Sequence, residues 1–421
     1  MVRERLTLRP LAGVLDMMRA TFPRPDRTVR VPVAGSVRRV TARATHSPLT
    51  VPATDIAARD GFAVVSSETR GARDESPVPL RNPFRVNTGN VIPPGYDAVV
   101  MIEDVTGGDG AWCTRRAVLP GEHIHPAGEE IRSGEMILPA GHSIRPWDIG
   151  ALLSYGITRV DVQAVNVGLL PTGSEVIPAG ERPGPGEVIE SNTAIAAAWL
   201  GEAGATCTRY GIVRDDPGLL SEAIGKGIRE NDLLLVSAGS SAGTRDFTAS
   251  VISDLGEVLV HGIAVKPGKP AIIGRVDGKP VIGMPGYPIA AMTTVRELAL
   301  PLLAEWGFSA RPGERLRARL ARTIQTDPGF DEFIFLTVSR DGDRYAAIPL
   351  PRGAGTQMTV VRANACLHVP VGTGSIHGGT EVEVLLTGPL ASTGEAPGNR
   401  EPASERRVPG EGAVLLVKNS S

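Results

Sequence analysis

The sequence predicts a multidomain α/β and β protein. A central βαβ parallel-sheet domain is expected between β-rich N-terminal domains and a small C-terminal β domain. Three observations carry this. A chain of 421 residues exceeds a single ordinary core. Gly 50 and Pro 35 imply many turns and short strands, while 42% hydrophobic residues are ample for folded cores. From Val165 onward, short apolar runs alternate with helix-period segments, and most runs close in a Gly-, Ser- or Pro-rich loop. The expected partition is a helix and scaffold segment over 1–45, a β-rich domain over 46–145, and a return to the scaffold over 146–164. The parallel-sheet domain follows over 165–310 and the β domain over 311–390. The Gly/Pro/Ser/Glu/Arg-rich tail, 391–421, is expected to be disordered.

In chain order, Leu11, Val14, Leu15 and Met18 share one face at helical spacing, and residues 28–45 favour strand and turn. Asp60-Gly61 forms a turn into the strand Phe62–Val65. Asp at such a turn is commonly structural, through its own backbone hydrogen bond. Residues 84–105 hold two strands around a Gly/Pro loop in which Thr88 stands beside Gly89. His123 and His125 have H-x-H spacing near Glu129 and Glu130, but exposed polar decoration is the commoner explanation. A helix is expected over 146–155, with Pro146 in its first turn and Gly156 as its stop.

The central series begins with a strand, 165–170, that leads into Pro171-Thr172-Gly173-Ser174-Glu175. Ser191 or Asn192 is placed to cap a helix whose apolar face uses Ile195, Trp199 and Leu200. A strand near 209–213 runs into Arg214-Asp215-Asp216-Pro217, and a helix spans 219–228. The series is organised around 231–246. Leu233–Val236 is an unbroken apolar run that suits a strand buried on both faces. It is followed by Ala238-Gly239-Ser240-Ser241-Ala242-Gly243 and then by Asp246 and a helix through Val251 and Ile252. A strand, a Gly/Ser turn and a helix N-terminus make an anion site by geometry and dipole. One such loop alone is an ordinary βα turn. Further strands over 261–265 and 279–284 end in Lys266-Pro267-Gly268-Lys269-Pro270 and Pro285-Gly286-Tyr287-Pro288, with a helix to about Trp306. In a parallel sheet these loops converge beyond the carboxyl ends of the strands, where ligands bind. Backbone donors, hydroxyls, two lysines and the carboxylates Glu175, Asp215, Asp216 and Asp246 suit a phosphorylated ligand with Mg²⁺. Of the 44 basic residues only five are lysines, and two of them fall within these four positions of one loop. That choice favours compact charge for an oxyanion over a solvated face.

Composition excludes other classes. A formal net charge of −2 gives no basic field for nucleic acid. Cys113, Cys207 and Cys366 match no zinc or redox spacing and read as free thiols in a reducing cytosol. No apolar stretch has the length of a signal core or a membrane span, so a cytoplasmic location is expected.

The motifs SPLTVP…RDGFAV, NTG…DAVVMIED, PTGSE, RDDP, SAGSSAGTRDF, AVKPGKP and GMPGYP, in this order over 47–389, resemble the MoeA/gephyrin family of molybdopterin molybdenumtransferases. The resemblance implies insertion of molybdate into adenylylated molybdopterin with release of AMP in the presence of Mg²⁺. It also implies an elongated homodimer whose central domain is similar to the MogA/MoaB fold. A molybdopterin adenylyltransferase is the partner that would supply the substrate. By that resemblance Asp60 matches the acid of an MDGYA motif and Thr88 the threonine of a TG motif. Glu175 matches the acid of TGDE-type loops and Asp215 the first acid of RDD, while Asp246 is the acid after the Gly/Ser loop. The implied catalytic residues are Asp60, Asp246, Lys266 and Lys269. The implied substrate contacts are Thr88, Thr172, Gly173, Gly239, Ser240, Ser241, Gly243, Pro285 and Gly286. Metal contacts fall to Glu175, Asp215 and Asp246. The sequence departs from the family pattern in Asp55-Ile56-Ala57-Ala58-Arg59-Asp60-Gly61-Phe62-Ala63, where many members have DNSAMDGYA, at AGSSAG, at Tyr287 within PGYP and at Glu130. The alternatives are a molybdopterin adenylyltransferase, a tungstate-inserting variant, and a non-catalytic molybdopterin-binding scaffold.

Overall fold

The computed structural model describes residues 7–108, 110–237, 247–308, 313–353 and 357–390. Expectations for the Gly/Ser loop, Asp246 and the 391–421 tail therefore lie outside the described residues.

Six strands form the central sheet: Asn166–Pro171 (β1), Thr206–Arg209 (β2), Leu233–Ser237 (β3), Glu257–His261 (β4), Ile272–Val276 (β5) and Lys279–Met284 (β6). Their order is β2-β1-β3-β6-β5-β4. The first four are parallel, whereas β5 runs antiparallel to both β6 and β4. Strand alternation explains why β3 is apolar from Leu233 to Val236. Leu233 and Leu235 enter one core with Ala196 and Leu200 of the helix Asn192–Glu202. Leu234 and Val236 enter the opposite core, against Leu220, Ile224 and Ile228 of the helix Pro217–Glu230 and Val251 and Ile252 of Thr248–Leu255. Helices therefore cover both faces. From β1 the chain crosses to β2 on one side, then passes back to β3 on the other. That reversal opens a crevice beyond the carboxyl ends of β1 and β3.

The N-terminal helix Leu11–Thr21 buries Leu11, Val14 and Met18, and with Phe22 it completes the core that holds Val167 and Leu169. The Trp306 indole N–H donates to the Phe22 carbonyl at 3.0 Å. Thr28–Pro32 then pairs with Arg159–Gln163, so the chain leaves and re-enters the scaffold at one place. Between these strands lies the β-rich excursion, where Gly61–Val64 is held between Phe84–Val86 and Ala98–Met101. The helix Pro146–Ser154 ends before Gly156, whose φ of 82° suits the stop expected there. Toward the C-terminus, Asp331–Asp341 pairs with both Arg344–Pro349 and Ala365–Val369. Arg315–Leu320 and Glu381–Leu386 complete the ring, so the sheet closes into a small barrel.

Three expected elements differ in the structure, and Ile272–Val276 (β5) is a strand beyond those expected. The strand placed near 209–213 is Thr206–Arg209, and Val213 makes only a bridge to Thr172. The strand placed over 261–265 is divided at Gly262, whose φ of 98° turns the chain out of β4. Val265–Lys266 pairs instead with Asp331–Glu332 of the C-terminal sheet. The last helix is interrupted by a π-type turn, Val295–Ala299, ahead of Pro301, which has no N–H to continue the regular ladder.

Candidate active site

The crevice is assembled by hydrogen bonds between loops. Beyond β1, Thr172 turns both its N–H and its hydroxyl onto the Ser237 carbonyl, each at 2.9 Å. Gly173 donates to the Val213 carbonyl at 3.0 Å with φ 137°, and a Cβ there would lie 2.6 Å from the Val176 side chain. Glycine is required at this turn. The Ser174 N–H donates to Asp215 Oδ2 at 3.0 Å, and the Asp215 N–H returns a bond to the Ser174 hydroxyl at 3.2 Å. Asp216 instead caps the next helix by accepting the Leu219 N–H.

Asn192 ties the crevice across its width. Its side-chain amide donates to Ser237 Oγ at 3.3 Å and to the Gly286 carbonyl at 2.9 Å. The loops after β1, β3 and β6 are thereby joined, and Thr172, Gly173, Asp215, Pro285 and Gly286 come to one sheet edge. Ser191 holds the N-cap position of this helix but makes no side-chain cap bond. Buried Glu190 just before it accepts the Thr193 N–H at 2.7 Å and its hydroxyl at 2.8 Å and pairs with Arg209 at 2.9 Å. Asn192 is thus freed for the cross-loop bonds, a role that no spacing signal announces.

The lysine loop reaches the same edge as expected. It lies in the connection that leaves the end of β4, which runs in the same direction as β6 and β3, with His261 opposite Ile272. It leads into β5, and because β5 is antiparallel its start lies beside the end of β6, with Ile272 opposite Gly283. Lys266 Nζ donates to Asp327 Oδ2 at 2.5 Å and stands 3.8 Å from the Phe330 ring centre. Lys269 Nζ is 6.0 Å from the same ring. Lys266 opens onto a cavity of about 430 Å³ with Gln325, Asp327, Glu332 and Arg352 in its wall. No sequence spacing ties Asp327, Phe330 and Arg352 to this loop, because they lie more than 50 residues along the chain in the C-terminal region.

Asp60 and Thr88 form a separate centre in the β-rich region. Thr88 gives Asp60 Oδ1 its backbone N–H at 2.7 Å and its hydroxyl at 3.1 Å. These two bonds, then the nearby Arg85 charge, hold the carboxyl below the usual carboxylate range. No hydrogen bond among the described residues links this pair to the sheet-edge loops.

Among the described residues no three His, Cys, Asp or Glu side chains gather to hold a metal ion. His125 is paired with Glu129 at 2.6 Å, and His123 bonds the Val99 carbonyl. Glu175 and Asp215 lie on loops joined through Ser174. Gly239, Ser240, Ser241, Gly243 and Asp246 are outside the described residues.

Three family models match the chain in succession: MoeA N-terminal region (domain I and II) over residues 9–156, probable molybdopterin binding domain over 168–305, and MoeA C-terminal region (domain IV) over 317–387. The molybdopterin molybdenumtransferase of Haemophilus influenzae is 30% identical over 299 residues, 68% of this chain and 74% of that one. The chain belongs to the MoeA family. The molybdopterin molybdenumtransferase of Bacillus subtilis is 27% identical over 391 residues, 87% of this chain and 91% of its own. The crystal structure of a molybdopterin biosynthesis MoeA protein from Pyrococcus horikoshii superposes with a TM-score of 0.77 at 31% identity, covering 90% of this chain and 99% of that chain. Within this MoeA chain the central sheet falls in the match to the probable molybdopterin binding domain, and the closed C-terminal sheet is the small barrel of the match to domain IV.

Proposed function

We propose that this MoeA-family chain is a molybdopterin molybdenumtransferase that inserts molybdate into adenylylated molybdopterin and releases AMP. The observation that carries the reading is one sheet edge where phosphate-type loops and a lysine pair meet beside a cavity of about 430 Å³. The reaction needs a doubly charged oxyanion held beside a dithiolene, and it needs the pterin nucleotide fixed so that its phosphoanhydride is attacked in place. Lys266 and Lys269 supply the charge, first for the oxyanion and then for the developing phosphate. Thr172, Gly173, Pro285 and Gly286 wall the crevice, and the loop from Gly239 through Ser240 and Ser241 to Gly243 anchors the phosphate or pterin. The carboxylates fit Mg²⁺, which takes one or two acids besides phosphate oxygens and water: those on offer are Glu175 and Asp215 on bonded loops, and Asp246. Bound there, Mg²⁺ supplies neutralising charge to the phosphates. Asp60, kept ionised by Thr88, belongs to the same reaction across a homodimer, each site drawing Asp60 and Thr88 from one subunit and the lysine and Asp246 loops from the other. The enzyme works in the cytoplasm and receives its substrate from a molybdopterin adenylyltransferase.

The test incubates the protein with adenylylated molybdopterin and either molybdate or tungstate, reading AMP release and pterin-bound metal together. Coupled release with molybdate is expected. Preference for tungstate changes the metal assignment. Consumption of ATP with metal-free molybdopterin and no AMP release overturns the reading in favour of adenylyl transfer.

A further inference from the structure

The cavity beside Lys266 carries its own counter-ions. Lys266 is paired with Asp327 at 2.5 Å, and Arg352 with Glu332 at 3.1 Å. The two pairs are connected, because buried Glu332 also accepts the Asp327 backbone N–H at 2.8 Å. Glu332 is moreover the strand partner of Lys266, so lysine and acid sit opposite each other on one rung of the ladder. Asp327 begins a tight turn, Asp327-Pro328-Gly329-Phe330, in which its second oxygen takes the Gly329 N–H at 3.0 Å and the Phe330 N–H returns to its carbonyl. One turn thus delivers both the carboxylate on Lys266 and the ring beneath Lys266 and Lys269. The burial of the two acids differs. Glu332 is fixed inside, whereas the Asp327 side chain is 46% exposed. An exposed lysine–aspartate pair is worth little and is easily exchanged.

We propose that Asp327 is a specificity-determining residue, a resident carboxylate that an incoming multiply charged oxyanion displaces from Lys266, while Glu332 keeps the turn in place during the exchange. A singly charged anion gains no more from Lys266 than Asp327 already does, so the exchange favours divalent oxyanions. This rests on the reading of Lys266 as an anion-holding residue. The oxyanion is either free molybdate or the phosphate of the nucleotide.

The experiment measures equilibrium binding of molybdate, AMP and nitrate to the full-length protein, its Asp327→Asn and Asp327→Ser variants, and Lys266→Ala. With Asp327 neutralised, affinity for molybdate or AMP is expected to rise about three- to tenfold. Affinity for nitrate is expected to rise at least as much, narrowing the preference for the divalent ion. The probe that responds identifies the oxyanion source. Unchanged or weaker binding of both molybdate and AMP in the two Asp327 variants, with melting temperature retained, overturns the proposal. If Lys266→Ala also leaves all binding unchanged, the anion-holding role of Lys266 fails as well. Loss of binding in Lys266→Ala beside indifferent Asp327 variants refutes the exchange alone.

Discussion

Asp60 shows how little sequence a site residue needs and how much geometry. Its turn was legible, but its two donors were not, since Thr88 lies 28 residues on and arrives through strand pairing. The folded carboxyl is depressed, so it is ionised at pH values where an unfolded one is already protonated. That contribution is present above the unfolded value and is lost as pH falls through the folded one. Thr88→Ala removes the hydroxyl and retains the N–H. The Asp60 titration midpoint, followed by carboxyl NMR, should rise yet stay below the usual range. Gly61 is constrained differently: a Cβ would lie 1.9 Å from the Val100 carbonyl oxygen in the neighbouring strand. Gly61→Ala should destabilise the chain by about 3 kcal/mol or more in denaturant unfolding, because backbone on both sides leaves nowhere to yield.

At the scale of elements, the parallel core was readable because burial on both faces forces an unbroken apolar run, as in Leu233–Val236. The antiparallel edge was not. Ile272–Val276 contains Gly274, where a Cβ would meet Ile252 at 2.3 Å, so close packing removed the side chain that would have marked a strand. The lysine loop nevertheless lies at its expected edge, because β4 before it runs with β6 and β3. The bond from Asn192 to the loop after β6 was equally hidden, since helix starts commonly carry Asn for capping. Asn192→Ala should leave the Gly286 carbonyl short of a partner and cost about 1–2 kcal/mol in unfolding. The half-saturating concentration of pterin nucleotide should rise with it. An unaltered half-saturation would mean that Gly286 and Pro285 do not wall the site.

For the whole molecule, the question is how the Asp60–Thr88 pair and the sheet-edge loops serve one reaction. A twofold dimer gives a specific expectation. Asp60→Ala and Asp246→Ala should each be inactive alone. After subunit exchange a heterodimer would carry one site with both defects and one with neither. Activity should then return to at most about half the parent value per heterodimer. Exchange confirmed by mass with no recovered activity would place both halves of the site within one chain.

The pairing of Val265 and Lys266 with Asp331 and Glu332 has a mechanical consequence. The lysine's backbone is stitched into the barrel's sheet, while Val265 beside it is buried in one core with Ile282 of the central sheet and Phe333, Phe335 and Cys366 of the barrel. A change in that shared core acts on the position of the lysine as well as on the seam between the two sheets, as a loose rivet disturbs both of the plates it fastens.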